Sequence, residues 1–347
     1  MTQPNPPFSR RHFIAGATTV GAGLAIASAV QAAKASPIVN PVVLQRADAQ
    51  IFRHSDGYYY MTASVPEYDR LILRRSKTLG GFTTAEEVVV WKRPAAGQMG
   101  GYIWAPELHW FDGQWHLYFA AGNSDDKFHI RTYVLSCKEK NPLKGQWSLT
   151  GQVEMPWDSF NLDSTVFEHK GVRYLCWAQK EPGIATNSNL YLAPLVSPTK
   201  LGAKPVRLTV PTLDWEIIGY KVAEAPAFLV RNGRIFLTYS AAATDANYCL
   251  GMLTAKADAD LMNPESWVKS QQPVFKTSAK NKVFGPGHNS FTVDEKGRDV
   301  LVYHGRDYEQ VKSPLHDPNR HTRMQYFTYR ADGTPDFGEP VANGLLK

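Results

Sequence analysis

The chain has 347 residues, of which 43% are hydrophobic and 20% charged, a composition that excludes a disordered protein and allows a sizeable core. The formal net charge is +6, but the first 35 residues hold three basic residues and no acids, so the remainder carries +3 (35 basic minus 32 acidic). With so small a charge, nucleic acid is not an expected partner.

The first 35 residues differ in character from the rest. Arg10 and Arg11 precede an uncharged run from Phe13 to Ala33, and small residues around positions 30–35 offer cleavage sites. This layout resembles a twin-arginine export signal. The run is just long enough to span a membrane, so an anchor is the alternative. Its glycine, alanine and threonine content makes it weakly hydrophobic. We therefore expect cleavage, no stable membrane insertion, and a periplasmic or extracellular protein comprising residues 36–347.

Five segments of the remaining chain share one pattern: a first strand, a polar turn with glycine, and a second strand. They read ADAQIFRHSDGYYYMTAS, WAPELHWFDGQWHLYFAA, LDSTVFEHKGVRYLCWAQ, EAPAFLVRNGRIFLTYSA and HNSFTVDEKGRDVLVYHG. This is the signature of a β-hairpin. A further strand and a loop follow each hairpin, with almost no helix, so the units are about sixty residues long. Sheets repeated in this way form a β-propeller, and five units predict an all-β, five-bladed propeller in a single domain. A sandwich with coincidental hairpins is the alternative.

In a propeller the first strand of each blade lines the central channel. Counting back nine residues from the turn glycine, or eight in the third repeat, gives one residue at the entry of each first strand. These residues are Asp48, Trp104, Asp163, Glu224 and His288. The repeat therefore predicts that these five side chains face the axis at the same height.

Three carboxylates in one pocket would acquire different pKa values, because burial and like charge raise the pKa of some and leave others ionised. Glycoside hydrolysis needs that separation: one acid protonates the leaving oxygen and one carboxylate activates water. Glu224 lies between alanines, which favours a raised pKa and the role of acid. We assign Asp48 as the base, Asp163 as the residue that orients and tunes Glu224, and Trp104 as a face for a sugar ring. Taken singly, each acid could instead bond to backbone amides at a strand end.

These motifs together resemble glycoside hydrolase family 43. The resemblance extends over residues 40–347 and rests on ADAQIFRHSDGYYY, YIWAPELHWFDGQWHLYFAA, FNLDSTVFEHKGVRYLCW, EAPAFLVRNGRIFLTYS and GPGHNSF. It implies a five-bladed propeller and an inverting mechanism, with the base at Asp48, a modulator at Asp163 and the acid at Glu224. The family usually has Ala-Asp-Pro at the base, and this chain has Ala49 in place of the proline.

Within that family, DGYYYMTASVPEYDRLILRRS and NRHTRMQ are most similar to exo-acting α-1,5-L-arabinofuranosidases, which release single arabinose units from arabinan of the plant cell wall. This similarity implies that Arg323 reaches the sugar pocket. The polar insertion from Gly305 to Thr322 either walls the pocket or is a plain surface loop. A β-xylosidase and an endo-arabinanase remain open because the same three acids would serve them. A retaining hydrolase and a carbohydrate-binding propeller without catalysis are further alternatives.

His288 has two interpretations. The resemblance implies that this position helps to hold a cation or an ordered water, whereas a lone histidine is more often simply hydrogen-bonded. We group it with Trp104 and Arg323 as substrate-binding. The other histidines show no zinc spacing, so we predict no required cofactor or metal, although a structural cation such as Ca²⁺ is compatible with the sequence.

We also expect a monomer with free, buried thiols at its three cysteines, although one disulfide is permitted by the count.

Overall fold

The computed structural model describes residues 36–347, and the expected export signal lies outside them. Five antiparallel sheets follow one another along this part of the chain, which confirms the predicted five-bladed β-propeller. Helical structure within it is limited to three short 3-10 turns, Gly80–Thr83, Asp214–Glu216 and Pro264–Ser266. Among the described residues no helix is long and apolar enough to cross a membrane.

Each blade is built from consecutive strands, ordered from the axis outward. Blades 1, 2 and 4 have four strands, blade 5 has three, and in blade 3 two short outer segments both pair with the third strand. The strands are Ala47–Arg53, Tyr59–Ser64, Arg70–Ser76 and Glu87–Lys92 in blade 1; Ile103–Phe111, Gln114–Ala121, Arg131–Cys137 and Ser148–Gln152 in blade 2; Asn161–His169, Val172–Gln179, Asn189–Ser197, Lys200–Leu201 and Val206–Thr209 in blade 3; Ala223–Arg231, Arg234–Ala241, Cys249–Lys256 and Val268–Lys269 in blade 4; and Phe284–Val293, Asp299–Arg306 and His321–Tyr326 in blade 5.

The first hairpins of the blades use two kinds of turn. Blades 2, 3 and 4 have two-residue turns, Asp112–Gly113, Lys170–Gly171 and Asn232–Gly233, with positive φ at both residues. That conformation matches the twist of the flanking strands and favours glycine at the second position. Blades 1 and 5 have longer loops, residues 54–58 and 294–298, between their paired strand ends.

Every first strand also contains a bulge near its start. Its pairing register shifts there, and one non-glycine residue has a left-handed φ between 44° and 55°. A bulge bends the strand and redirects side chains. The bulge residues are Asp48, Ala105, Asp163, Ala225 and His288. The prediction of five equivalent positions is therefore wrong for Trp104 and Glu224, which each lie one residue before the bulge. The longer loops of blades 1 and 5 caused this error, because they change the count from the turn glycine.

Neighbouring blades hold these bulges in place. In four of the five, the backbone N–H of the bulge residue donates to a side chain of the preceding blade, with blade 5 preceding blade 1. The pairs are Asp48 N to His304 Nδ1 at 3.2 Å, Ala105 N to Ser64 Oγ at 2.8 Å, Ala225 N to Asp163 Oδ2 at 3.0 Å, and His288 N to Ser240 Oγ at 2.8 Å. The contacts satisfy buried donors and fix where each first strand begins.

The ring of blades is closed by the start of the described chain. Val42 N donates to Thr322 O at 2.8 Å, and the side chain of Asn40 hydrogen-bonds both backbone groups of Met324. Strand Val39–Asn40 also pairs with Gly344–Leu345 near the C-terminus. Residues 39–43 therefore cover the open edge of the three-stranded blade 5. A short strand pair, Thr328–Tyr329 with Pro335–Asp336, follows that blade.

Apolar clusters fill the spaces between blades. One packs Ile51, Met61 and Ile72 of blade 1 against Val302 and Met324 of blade 5, all nearly inaccessible to solvent. The three cysteines are buried and free, which confirms the expectation of core thiols.

Candidate active site

A cavity of about 130 Å³ lies beside the bulges of the first strands. The sequence predicted five of its lining residues, and the structure brings all five together: Asp48, Trp104, Asp163, Glu224 and His288. It adds Tyr248, Leu315 and Arg320, which sequence reasoning did not identify. The cavity is thus built by all five blades and by the insertion between the second and third strands of blade 5.

Asp48 is buried among cationic and polar groups. Its Oδ1 lies 3.4 Å from Arg320 Nη1, 3.4 Å from His288 Nδ1 and 3.2 Å from His304 Nδ1. Burial alone would raise the pKa of Asp48, but this pKa is held well below its usual value, and the positive charge of Arg320 is the largest effect that lowers it. Burial also lowers the pKa of His288, and lowers that of His304 to about 3, so both imidazoles are neutral near pH 7. Asp48 therefore remains ionised, as a general base must.

Glu224 has the opposite electrostatic character. Burial raises the pKa of Glu224 to about 7, and the negative charge of Asp48 acts in the same direction. The hydroxyl of Tyr248 donates to Glu224 Oε1 at 2.8 Å and acts against that rise. Glu224 therefore holds a proton up to neutral pH, as a general acid must.

Asp163 lies between these two groups in blade order and contacts the backbone beside the acid. Its Oδ2 accepts the N–H of Ala225, the residue after Glu224. Burial raises the pKa of Asp163 well above its usual value, and the charges of Glu224 and Asp48 raise it further. Two such carboxyls titrate as a pair, so their proton belongs to both. This geometry fits the predicted role of orienting and tuning the acid.

Trp104, which lines the cavity, belongs to a cluster of aromatic rings. Trp104 stacks on Tyr102 with ring centroids 5.2 Å apart and an angle of 17°, and Tyr68 meets Trp104 edge-on at 5.9 Å. Phe128 also packs edge-on against Trp104 and is 56% exposed. Rings of this kind bind the apolar face of a sugar.

Arg323 does not line the cavity, so the expectation that it reaches the sugar pocket does not fit this structure. Its guanidinium is fully buried and contacts Asp307 and, at 2.6 Å, Asn343 Oδ1. Arg320 lies in the cavity instead, and its Nη2 donates to the Tyr68 hydroxyl at 2.9 Å. Both arginines belong to NRHTRMQ. Arg320 precedes the last strand of blade 5, whereas Arg323 lies within that strand and points away from the cavity.

The insertion from Gly305 to Thr322 forms part of the cavity wall. It contributes Leu315, whose carbonyl accepts the Tyr68 hydroxyl at 2.5 Å, as well as Arg320. The buried Arg306 anchors the loop by donating hydrogen bonds to Pro314 O at 2.7 Å and to Asp317 Oδ1 at 3.1 Å. His316 Nε2 and the Tyr102 hydroxyl, 3.1 Å apart, connect it to blade 2. The insertion is therefore a fixed wall and not a plain surface loop.

A directly ligated metal ion does not fit the side chains around His288. Within residues 36–347, no group of three or more histidine, cysteine or acidic side chains has a metal-binding arrangement. That no metal is required stays a prediction.

A larger cavity of about 440 Å³ lies toward the other end of the first strands. Its walls include Phe52, Val166, Phe228 and Phe291, and none of the three site carboxyls lines it. Size therefore does not identify the chemical site here, whereas the converging carboxyls do.

A propeller cavity that holds one ionised and one protonated carboxyl defines a candidate glycoside hydrolase site. The comparisons agree with that class. Residues 38–335 match the family described as Glycosyl hydrolases family 43, and the chain belongs to this family.

Several similar proteins are named as arabinofuranosidases. The chain is 54% identical over 318 residues to an extracellular exo-α-(1→5)-L-arabinofuranosidase of Streptomyces avermitilis, covering 90% of this chain and 66% of that protein. It is 52% identical over 305 residues to a protein of the same name from Streptomyces chartreusis, covering 87% and 93%. The crystal structure of an α-L-arabinofuranosidase from Lactobacillus brevis superposes with a TM-score of 0.86 at 51% identity, covering 88% and 98%. The chain thus spans about two thirds of the S. avermitilis protein and nearly all of the other two.

Proposed function

We propose that this protein is an inverting exo-glycoside hydrolase that releases terminal L-arabinofuranose from α-1,5-linked arabinan and arabino-oligosaccharides. The observation that carries the proposal is the opposite electrostatic character of two carboxyls in one cavity: the pKa of Asp48 is held well below its usual value, and that of Glu224 is raised to about 7. Such a pair can act as base and acid at the same pH.

In the proposed reaction, Asp48 takes a proton from a water molecule as the water oxygen attacks the anomeric carbon. Glu224 donates its proton to the glycosidic oxygen as the bond from that oxygen to the anomeric carbon breaks. The shorter glycan leaves as an alcohol, and exchange with solvent returns a proton to Glu224 and removes one from Asp48. Asp163 keeps the backbone beside Glu224 in position. Because water attacks opposite the leaving group, an α-linked substrate gives the β-anomer.

The shape of the site favours exo action. The cavity is small, its wall includes Leu315 and Arg320 of a well-anchored insertion, and Trp104 offers an aromatic face to a single ring. A polymer that had to pass through would meet this wall. The arabinofuranoside substrate is inferred from relatives at 52% and 54% identity whose names specify it. A β-xylosidase, an endo-arabinanase, a retaining hydrolase and a non-catalytic carbohydrate-binding propeller remain the alternatives.

Export by the twin-arginine pathway belongs to the same proposal. Two relatives are named as extracellular, and Arg10 and Arg11 precede a weakly hydrophobic run in this chain. We propose a monomer that meets its polysaccharide in the periplasm or outside the cell.

An NMR time course with arabino-oligosaccharides tests the reaction. We expect the β-anomer of arabinose as the first product, arabinose alone from linear arabinan, and faster hydrolysis of nitrophenyl arabinofuranoside than of nitrophenyl xyloside. Initial α-anomer would contradict inversion, and only oligomeric products from arabinan would contradict exo action. Preference for the xyloside would indicate a xylosidase. Sugar binding without turnover would indicate a binding protein.

A further inference from the structure

Tyr248 is buried beside Glu224, the proposed acid, and its ring is closely packed. Its hydroxyl lies 2.8 Å from Glu224 Oε1, and its ring is parallel to that of His304, with an angle of 1° and centroids 5.7 Å apart. Tyr248 is only 2% exposed. Neither the repeat nor the family motifs drew attention to it, because it precedes the third strand of blade 4.

Gly287 also lies against the ring. A Cβ atom at that position would lie 2.3 Å from two ring carbons of Tyr248, so any other residue there would displace the ring. The φ of Gly287 is not among the positive values of this chain, so close approach and not backbone conformation accounts for the glycine. His288, which follows Gly287, donates its N–H to Ser240 Oγ, and this fixes the backbone behind the ring. Close packing against Gly287 therefore helps to fix the position of the tyrosine ring.

We propose that Tyr248 is a positioning residue for the acid: its hydroxyl holds Glu224 Oε1, so that the catalytic proton is presented from Oε2. This inference rests on the proposed role of Glu224. Burial and the neighbouring carboxyls raise the pKa of Tyr248 well above its usual value, so the hydroxyl keeps its proton near neutral pH and can donate it in a hydrogen bond. A donor can satisfy an oxygen that carries no proton, and this leaves the other oxygen as the site of the acid proton.

The same hydrogen bond affects the titration of Glu224. A donor stabilises the ionised carboxylate more than the neutral acid, so Tyr248 lowers the pKa that burial raises. Charged and titratable groups on the surrounding strands and loops also influence the pKa of Glu224. The charged or titratable groups at and next to the cavity are Asp48, Tyr68, Glu107, Asp163, His288, His304 and Arg320. Tyr248 is the one among the described residues that donates directly to Glu224.

Tyr248→Phe tests the inference because it removes the hydroxyl and keeps the ring. We expect the alkaline limb of kcat/KM on arabino-oligosaccharides to move up by about one pH unit. We also expect the loss of activity to be about tenfold greater on oligosaccharides than on nitrophenyl arabinofuranoside, because nitrophenolate leaves without a proton from the acid. An unmoved alkaline limb, or an equal loss on both substrates, would overturn the inference.

Tyr239→Phe is a matched control. Tyr239 belongs to the same blade, is fully buried, and donates to the buried Glu216 at 2.6 Å, outside the cavity. This variant should lose heat stability and keep the wild-type pH profile. Gly287→Ala should move the limb as Tyr248→Phe does, since the ring must shift.

A titration without substrate separates this inference from the proposed function. Heteronuclear NMR of the glutamate side-chain carboxyls follows Glu224 directly, with its signal assigned by its loss in Glu224→Gln. Tyr248→Phe should raise that titration midpoint by about one pH unit whatever the substrate of the enzyme is. An inactive wild type with a shifted midpoint would refute only the proposed function. An active wild type with an unshifted midpoint would refute only the role of Tyr248.

Discussion

Arg320 places its Nη1 3.4 Å from Oδ1 of Asp48, although the two residues are 272 positions apart in the chain. Both are buried, and Tyr68 accepts a second hydrogen bond from the same guanidinium. The charge of Arg320 is the largest effect that favours ionised Asp48 against its burial. The proposed base therefore depends on a loop at the far end of the sequence.

Arg320→Gln should consequently move the acidic limb of the pH profile. Without the guanidinium, burial dominates and the pKa of Asp48 rises. A base must be ionised, so activity should disappear at a higher pH than in the wild type as the solution is acidified. The measurement is kcat/KM on arabino-oligosaccharides between acidic and neutral pH. Arg231→Gln, which removes an exposed ion pair with Asp299, is the control and should keep the wild-type limb. An unchanged limb in Arg320→Gln would contradict this account of Asp48.

The proposed acid should determine the alkaline limb. The pKa of Glu224 is raised to about 7, so its protonated fraction, and with it the activity on oligosaccharides, should fall as the pH rises through that value. Glu224→Gln removes the proton donor and should lower turnover of oligosaccharides by roughly 10²–10⁴-fold. Its effect on nitrophenyl arabinofuranoside should be much smaller. The exposed Glu168→Gln serves as control. Equal losses on both substrates would show that Glu224 does not act as the acid.

Asp163→Asn should shift the alkaline limb in the other direction from Tyr248→Phe. The charge of Glu224 raises the pKa of Asp163 and the two carboxyls titrate as a pair, so asparagine removes one partner while its side-chain oxygen still accepts the Ala225 N–H. Glu224 then titrates alone and loses its proton at lower pH. Profiles of kcat/KM for the two variants, measured together with the wild type, should bracket the wild-type limb. An upward shift in Asp163→Asn would refute the assigned tuning role.

The architecture was predictable because its signals are local and repeated. Asp112–Gly113 and Asn232–Gly233 are turn dipeptides that, between two apolar strands, strongly favour a tight hairpin. Which channel residues are equivalent was not predictable from the sequence. It depends on where each bulge lies, and the left-handed bulge residues include alanines and a histidine, which do not signal such a conformation. The sequence also carries no signal that residues 39–43 cover the edge of blade 5, because this contact joins parts of the chain almost 300 positions apart.

The carboxyls were found from sequence because each stands in a repeated first strand. Arg320 and Tyr248 lie outside those strands, so the repeat does not identify them. Their roles arise from contacts made only in the folded chain: Arg320 with Asp48, and Tyr248 with Glu224 and Gly287. The resemblance pointed to Arg323, but the fold buries its guanidinium against Asp307 and Asn343, a pairing that the sequence does not show.

The closure of the propeller gives a last prediction, this one about stability. Asn40 is 2% exposed, and its side chain donates to Met324 O at 2.7 Å and accepts from Met324 N at 2.9 Å. Asn40→Ala leaves both buried backbone groups without these partners, so we expect the free energy of unfolding to fall by about 2–4 kcal/mol. Denaturant unfolding measures this, and Asn247→Ala, an exposed residue with local hydrogen bonds, is the control.

The junction between blades 1 and 5 also assembles the surroundings of Asp48, so its loss should affect activity. Asp48 comes from blade 1, while His304 and Arg320 belong to blade 5 and its insertion, so the base is assembled across the junction that Asn40 secures. Asn40→Ala should therefore lose activity at a lower temperature than the wild type and yet show the wild-type pH profile below that temperature. A changed acidic limb in the folded variant would mean that the junction also tunes the base. Unchanged stability would mean that Val39–Asn40 pairing with Gly344–Leu345 is enough to close the ring.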